Sequence, residues 1–291
     1  MTKQRRQKSL QELTIKDNFM FGAVMSDEAN CKECLELILE KPIERITVCR
    51  EKSILYHPGY KGVRLDVIAM DEKRTHYDVE MQVASKPALG KRSRYYHSQL
   101  DMEMLEAGES YNDLADAYVI FICDYDPFGK GLYRYSWKMG CRKVPGLELN
   151  EGRHTIILNT KGSNDDNVPA ELVKFLKYVG ANLEESTQDY EDPYVSKLQN
   201  SIANIKENRG MEAKYMLWKE LLQDERKEGH EEGLKEGLNV TISIIIEMLS
   251  DLDTNIPDAL RDTLQNIDNA ELLKECSRKA RNVATIEEFQ E

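Results

Sequence analysis

Asp66, Glu80 and Gln82 fall within RLDVIAMDEKRTHYDVEMQ, residues 64–82. Two acids held close on neighbouring strands are a natural seat for a divalent cation. The stretch reads as two short apolar strands about a charged turn. A turn through Glu72, Lys73 and Arg74 has its midpoint at residue 73, which sets Asp66 opposite Glu80 with both side chains on one face. A slip of one residue breaks that juxtaposition. Like charges opposed across a sheet repel, and a cation between them offsets the repulsion. Mg²⁺ characteristically takes one or two carboxylates and fills its other positions with water and phosphate oxygens. Along the second strand Tyr77, Val79, Met81 and Val83 alternate with Asp78, Glu80 and Gln82. The wet face of any edge hairpin shows the same alternation, so the spacing alone leaves both readings open.

Further motifs accompany this stretch in order: LTIKDNFMFGAVM, GVRLDVIAMDE, YDVEMQ, KRSRYYHSQLD, YVIFICDYDPFGKGLYRY and a late Glu-Gly repeat. Together they resemble the PD-(D/E)XK nuclease family transposases, the group that includes the recombination-promoting nucleases. The resemblance covers roughly residues 10–165, with the Glu-Gly tract as a further match. It implies a restriction-endonuclease-like core and Mg²⁺-dependent endonucleolytic hydrolysis of DNA, with Mn²⁺ as a substitute ion. It makes Asp66 and Glu80 the metal-binding acids and puts Gln82 in the third signature position, where the wider superfamily usually carries lysine. It also matches Asp17 to the acid with which some superfamily members complete the metal shell. Asp17 has a rival role as a helix N-cap, because it precedes Asn18 and an apolar run.

A glutamine orients by hydrogen bonds but brings no charge. Another group must then supply the positive charge at the phosphate: the metal, or the acid-free cluster Lys86, Lys91, Arg92 and Arg94 at the start of the next helix. From that cluster Arg94 is the expected phosphate-stabilising residue, with Lys91, Arg92, Arg94 and Tyr95 as DNA contacts. A solvated basic helix end accounts for the same residues without function.

The chain of 291 residues is 41% hydrophobic and carries a net charge of −12, which excludes a disordered chain and a generally basic nucleic-acid binder. The charge is uneven. Lys3, Arg5, Arg6 and Lys8 form a basic arm over residues 1–9, and most of the acids lie in the C-terminal third. An acidic protein can hold a phosphate backbone where a groove is locally basic or a divalent ion shields the contact. The basic N-terminus is followed by no apolar run, and ISIIIEML at 242–249 is too short to cross a bilayer. The expectation is a cytoplasmic protein with no membrane partner. Of six cysteines, only Cys31 and Cys34 share a CxxC spacing, inside a helical pattern with no second pair nearby, which reads as packed free thiols. No histidine has the paired spacing of a zinc site.

Helical spacing runs from about 10 to 40, and β-like runs follow at 43–55, 64–71 and 76–83. A helix over 88–107 lies between Pro87 and Gly108. DAYVIFIC at 116–123 is apolar without alternation, the mark of a strand buried on both faces. GLYRYSWKM and HTIILNT are further strand candidates. The order predicts an α/β fold, a mixed sheet flanked by helices over 10–165, which the resemblance makes restriction-endonuclease-like, then a helical C-terminal region over 166–291. Within that region Glu-Gly recurs every four residues from Glu228 to Gly237. The glycines fall on one helical stripe, which suits close approach of a second helix and a homodimer, or else marks a weakly stable solvated helix. A second functional reading follows from the missing lysine, the acidic charge and this tail: a nuclease-fold protein that binds or assembles with little or no cleavage.

Overall fold

The computed structural model describes residues 8–54, 63–85, 87–105, 107–252 and 256–290, without the side chains of 50–54, 63–65, 225 and 226. Lys3, Arg5, Arg6 and Lys86, named above, lie outside the described residues. The chain divides into two compact units, Met1–Tyr215 and Met216–Glu291.

The first unit is built on a mixed sheet of β1 (Ile46–Ile54), β2 (Val63–Asp71), β3 (His76–Gln82), β4 (Ala117–Cys123), β5 (Arg134–Trp137) and β6 (Arg153–Asn159), in the order β1-β2-β3-β4-β6-β5. β1, β2 and β3 are antiparallel neighbours, β3, β4 and β6 run parallel, and β5 returns antiparallel on β6. Every residue of β4 is buried, as its unbroken apolar run requires. The β2–β3 turn is closed by Asp71, whose Oδ1 accepts from Lys73 N at 2.9 Å and Thr75 N at 2.8 Å. Its register runs from Met70↔His76 to Val67↔Val79, which centres on residue 73.

Helix α3 (Leu89–Met104) covers one face. Leu89, Leu100 and Met104 pack there on Ile68, Val119, Phe121 and Ile157. The helical stretch expected over 10–40 is interrupted. A short 3-10 turn at Leu10–Glu12 precedes α1 (Asn18–Met25) and α2 (Glu28–Leu39). The break falls where Asp27 caps α2 by accepting from Asn30 N at 2.9 Å. α4 (Ala170–Gly180) and α5 (Pro193–Glu207) belong to this first unit, and Tyr194 of α5 donates to Asn30 O at 2.9 Å.

α6 (Arg209–Leu252) runs through the division between the units. The second unit has its own core, formed by Ile245 and Leu249 of α6 with side chains of α7 (Asp258–Gln265), α8 (Ala270–Ala280) and α9 (Ile286–Gln290). No helix among the described residues is long and apolar enough to cross a membrane.

Candidate active site

Asp78, Glu80 and Gln82 share the face of β3 that α3 covers, since every second residue of a strand points the same way. β3 is an inner strand, so this face is dry: Asp78 is 0%, Glu80 3% and Gln82 5% exposed. The alternation therefore marks a buried polar cluster and not the wet side of an edge hairpin.

Asp66 and Glu80 meet where the β2–β3 ladder ends. The last backbone pair is Val67↔Val79. In place of the next, Asp66 N donates to Glu80 Oε1 at 3.0 Å and Met81 N donates to Asp66 Oδ2 at 3.1 Å. Each carboxylate thereby satisfies a backbone N–H that the parting strands leave without a ladder partner. The exchange holds the two acids across the opening.

Arg92, in the first turn of α3, places a cation on this cluster. Its Nη1 donates to Gln82 Oε1 at 2.8 Å, and its Nη2 lies 3.8 Å from Glu80 Oε2. Nη2 also donates to the Tyr96 hydroxyl at 3.0 Å, and the guanidinium lies 5.5 Å from the ring centroids of both Tyr96 and Phe121. Stacking and forked hydrogen bonding fix a guanidinium as they could not fix an ammonium. Gln82 is held at both ends, because its Nε2 donates to Met81 O at 3.1 Å. Asn18, Asp66, Glu80, Gln82, Arg92 and Tyr96 line a cavity of about 270 Å³. Burial, then the charge of Glu80, raises the Tyr96 hydroxyl above its usual range.

Asp78 lies behind Glu80. Among the described residues no donor reaches either of its oxygens, and burial, then the charges of Glu80 and Asp66, raises its carboxyl well above the usual range. That direction favours Asp78 keeping its proton in the native state. An acid whose pKa rises on folding favours the native state fully below its ordinary pKa near 4. That contribution is lost as pH climbs towards the folded pKa, at most ~1.4 kcal/mol per pH unit. Asp78→Asn is therefore expected to raise the melting temperature at pH 8 and leave it nearly unchanged at pH 4. Equal shifts at the two pH values would assign the effect to something other than this proton.

The remaining sequence candidates are placed elsewhere. Arg94 and Lys91 are exposed on α3 and do not line the cavity, whereas Arg92 of the same helix does. Tyr95 is half-buried against the sheet core. Asp17 occupies the N-cap position of α1 without a capping side-chain bond. Its carboxylate instead accepts from Lys8 Nζ at 2.7 and 2.9 Å and from Thr14 N at 2.8 Å, and its neighbour Asn18 lines the cavity. His97 points to Thr155 of β6, 3.1 Å from its Oγ1, and burial pushes its imidazole down to about 3. Cys31 and Cys34 are buried, and burial pushes the Cys34 thiol up to about 12. Asp78, Tyr96 and Asn18 escaped the sequence reading. Asp78 had a signal in its shared parity with Glu80 and Gln82, and Tyr96 in its four-residue spacing from Arg92.

Among the described residues no group of three or more His, Cys, Asp or Glu is arranged to hold a metal. The donors at the cavity nevertheless suit a hard divalent cation in kind. Two carboxylates face it, and a third acid is stacked behind them with no donor on either oxygen. Such an ion needs only one or two protein carboxylates, with water and phosphate oxygens completing its shell.

A family model described as PD-(D/E)XK nuclease family transposase matches residues 15–232, a span that holds the whole sheet, α1 to α5 and part of α6. No curated protein and no solved structure matches the chain.

Proposed function

Because the chain belongs to the PD-(D/E)XK nuclease family transposases, we propose that it is a Mg²⁺-dependent DNA endonuclease of the recombination-promoting type, active in the cytoplasm on mobile-element or similar DNA. The observation that carries this reading is Arg92. It delivers a fixed positive charge to Gln82 and Glu80, at the place where a signature lysine would stand.

In this mechanism Asp66 and Glu80 hold the divalent ion, which when bound supplies Lewis-acid stabilisation and a water of lowered pKa. Gln82 is held by Arg92 and Met81 and keeps one amide hydrogen with which to orient a water or a phosphate oxygen. Arg92 stabilises the charge that builds on the phosphate oxygens, and its aromatic seat avoids reorganisation during the reaction. Lys91 and Arg94, exposed on the same helix, serve the DNA backbone further from the cleaved bond. The direct test is nicking of supercoiled plasmid by the purified chain. Nicking should appear with Mg²⁺ or Mn²⁺ and stop with EDTA; its absence with every divalent ion tried would favour the second reading, a binding or assembly protein on a nuclease fold. That reading draws on the Arg92 contacts themselves, since a guanidinium neutralising Glu80 could also take the place of the ion.

We also propose a homodimer formed through the C-terminal helices, which would bring two sites to the two strands of a duplex. Leu217, Leu221, Leu234, Val240 and Ile244 of α6 are exposed, and a side chain added at Gly229, Gly233 or Gly237 would meet nothing within 4 Å. Light scattering should give a dimer for the whole chain and a monomer for residues 1–215. A truncated chain that stays dimeric would move the interface to the first unit.

A further inference from the structure

Phe128, Tyr135 and Trp137 form a ring cluster at the surface. Phe128 meets Tyr135 edge-on at 4.7 Å between centroids and Trp137 at 5.1 Å, and Tyr135 and Trp137 stack at 6.0 Å. Phe128 stays 41% and Trp137 43% exposed. The loop before β5 is tied to hold them there. Asp126 accepts from Phe128 N at 3.0 Å, from Gly131 N at 2.8 Å and from the Tyr135 hydroxyl at 3.1 Å. Gly129 and Gly131, at φ of 63° and 68°, supply left-handed turns that other residues resist. A loop anchored at three points that leaves its phenylalanine in solvent is displaying an aromatic surface.

Beside Phe128 lies a hollow of about 310 Å³, walled on its other side by Ser85, Pro87, Ala88, Leu89 and Gly90 at the start of α3. The same segment continues back through Val83 and Ala84 into the wall of the catalytic cavity. The two hollows therefore adjoin along one stretch of backbone. Lys130, exposed, lies in the loop between Phe128 and Tyr135, and exposed Lys91 follows Gly90 in the wall of the hollow. Exposed rings with flanking cations are how proteins hold a nucleic-acid strand whose bases are free, each base stacking on an aromatic face. Bases within a duplex are already stacked on one another and cannot do so.

We propose that Phe128, Tyr135 and Trp137 form a stacking shelf for unpaired bases of a DNA strand whose backbone passes the start of α3 into the catalytic cavity, so that the preferred substrate carries a single-stranded segment. This rests on the nuclease reading above for its substrate class, and it is tested apart from cleavage. The full chain contains two tryptophans, and Trp218→Phe leaves Trp137 as the sole one. With EDTA present, an oligothymidylate should quench Trp137 emission saturably, and the matched duplex should not. Phe128→Ala should weaken single-strand binding, read by anisotropy of a labelled oligonucleotide, about tenfold, and Phe128→Tyr should retain it. Unchanged binding by Phe128→Ala, or equal quenching by duplex, would overturn the shelf. So would a Trp137 response to protein concentration alone with growth in particle size, which would assign the rings to a second copy of the chain. A chain that binds the strand through Phe128 but cleaves no DNA would uphold the shelf and defeat the nuclease reading; plasmid nicking without any Trp137 response would do the reverse.

Discussion

Glu80→Gln is expected to lower plasmid nicking by roughly 10³-fold or more while the fold persists. The glutamine can still accept from Asp66 N, the bond that closes the end of the β2–β3 ladder, so the strands keep their geometry. What it loses is charge. A cation held by two carboxylates keeps only Asp66, and several kcal/mol of charge stabilisation at the reacting phosphate goes with it. The same change removes the neighbouring charge that, after burial, does most to raise the carboxyl of Asp78. Glu80→Gln should therefore melt higher than the native chain at pH 8 even as activity disappears. Opposite signs for stability and activity are the mark of a strained functional cluster; a variant less stable and partly active would make Glu80 a structural residue. Single-strand binding in EDTA should be unaffected, because the aromatic shelf does not include the acids.

Arg92→Gln is expected to cost about 10²- to 10³-fold in nicking rate, the scale of removing one preorganised charge donor from a transition state. Gln82 would lose the donor that holds its carbonyl at 2.8 Å, and Glu80 the guanidinium 3.8 Å from its Oε2. Arg92→Lys should restore little, since an ammonium cannot at once fork to Gln82 and Tyr96 and stack on Tyr96 and Phe121. Adding Gln82→Lys to Arg92→Gln returns the charge from β3 itself and should recover part of the lost rate. A double variant no better than Arg92→Gln would mean that Arg92 does more than carry charge. Arg94→Ala, by contrast, should change salt dependence and leave the chemical step nearly intact.

Much of the fold was legible because it rests on alternation and turn chemistry. The unbroken apolar run at 117–123 announced a strand buried on both faces, and the turn residues about Lys73 set a register that puts Asp66 and Glu80 together. The burial of the acids was not legible. Alternation says that two faces of β3 differ, but only the docking of α3 makes the polar one dry. The choice between Arg92 and Arg94 was a matter of helix phase. Leu89, Tyr96 and Leu100 lie on the stripe facing the sheet; Arg92 falls on that stripe and Arg94 well off it. Asp17 depended on Lys8, nine residues back, a contact that local cap chemistry does not contain. The division within α6 has no Pro, Gly or composition break at Tyr215 to mark it, because a helix can continue without interruption from one core into the next.

In the proposed mechanism Asp66 and Glu80 together seat a divalent cation. This is tested most directly by soaking crystals of the native chain in Mn²⁺ and locating the ion by its anomalous scattering. One peak is expected at direct coordination distance from carboxylate oxygens of both Asp66 and Glu80, absent from Asp66→Ala crystals soaked alike. Ions bound only elsewhere, with Arg92 still about 3.8 Å from Glu80, would contradict it.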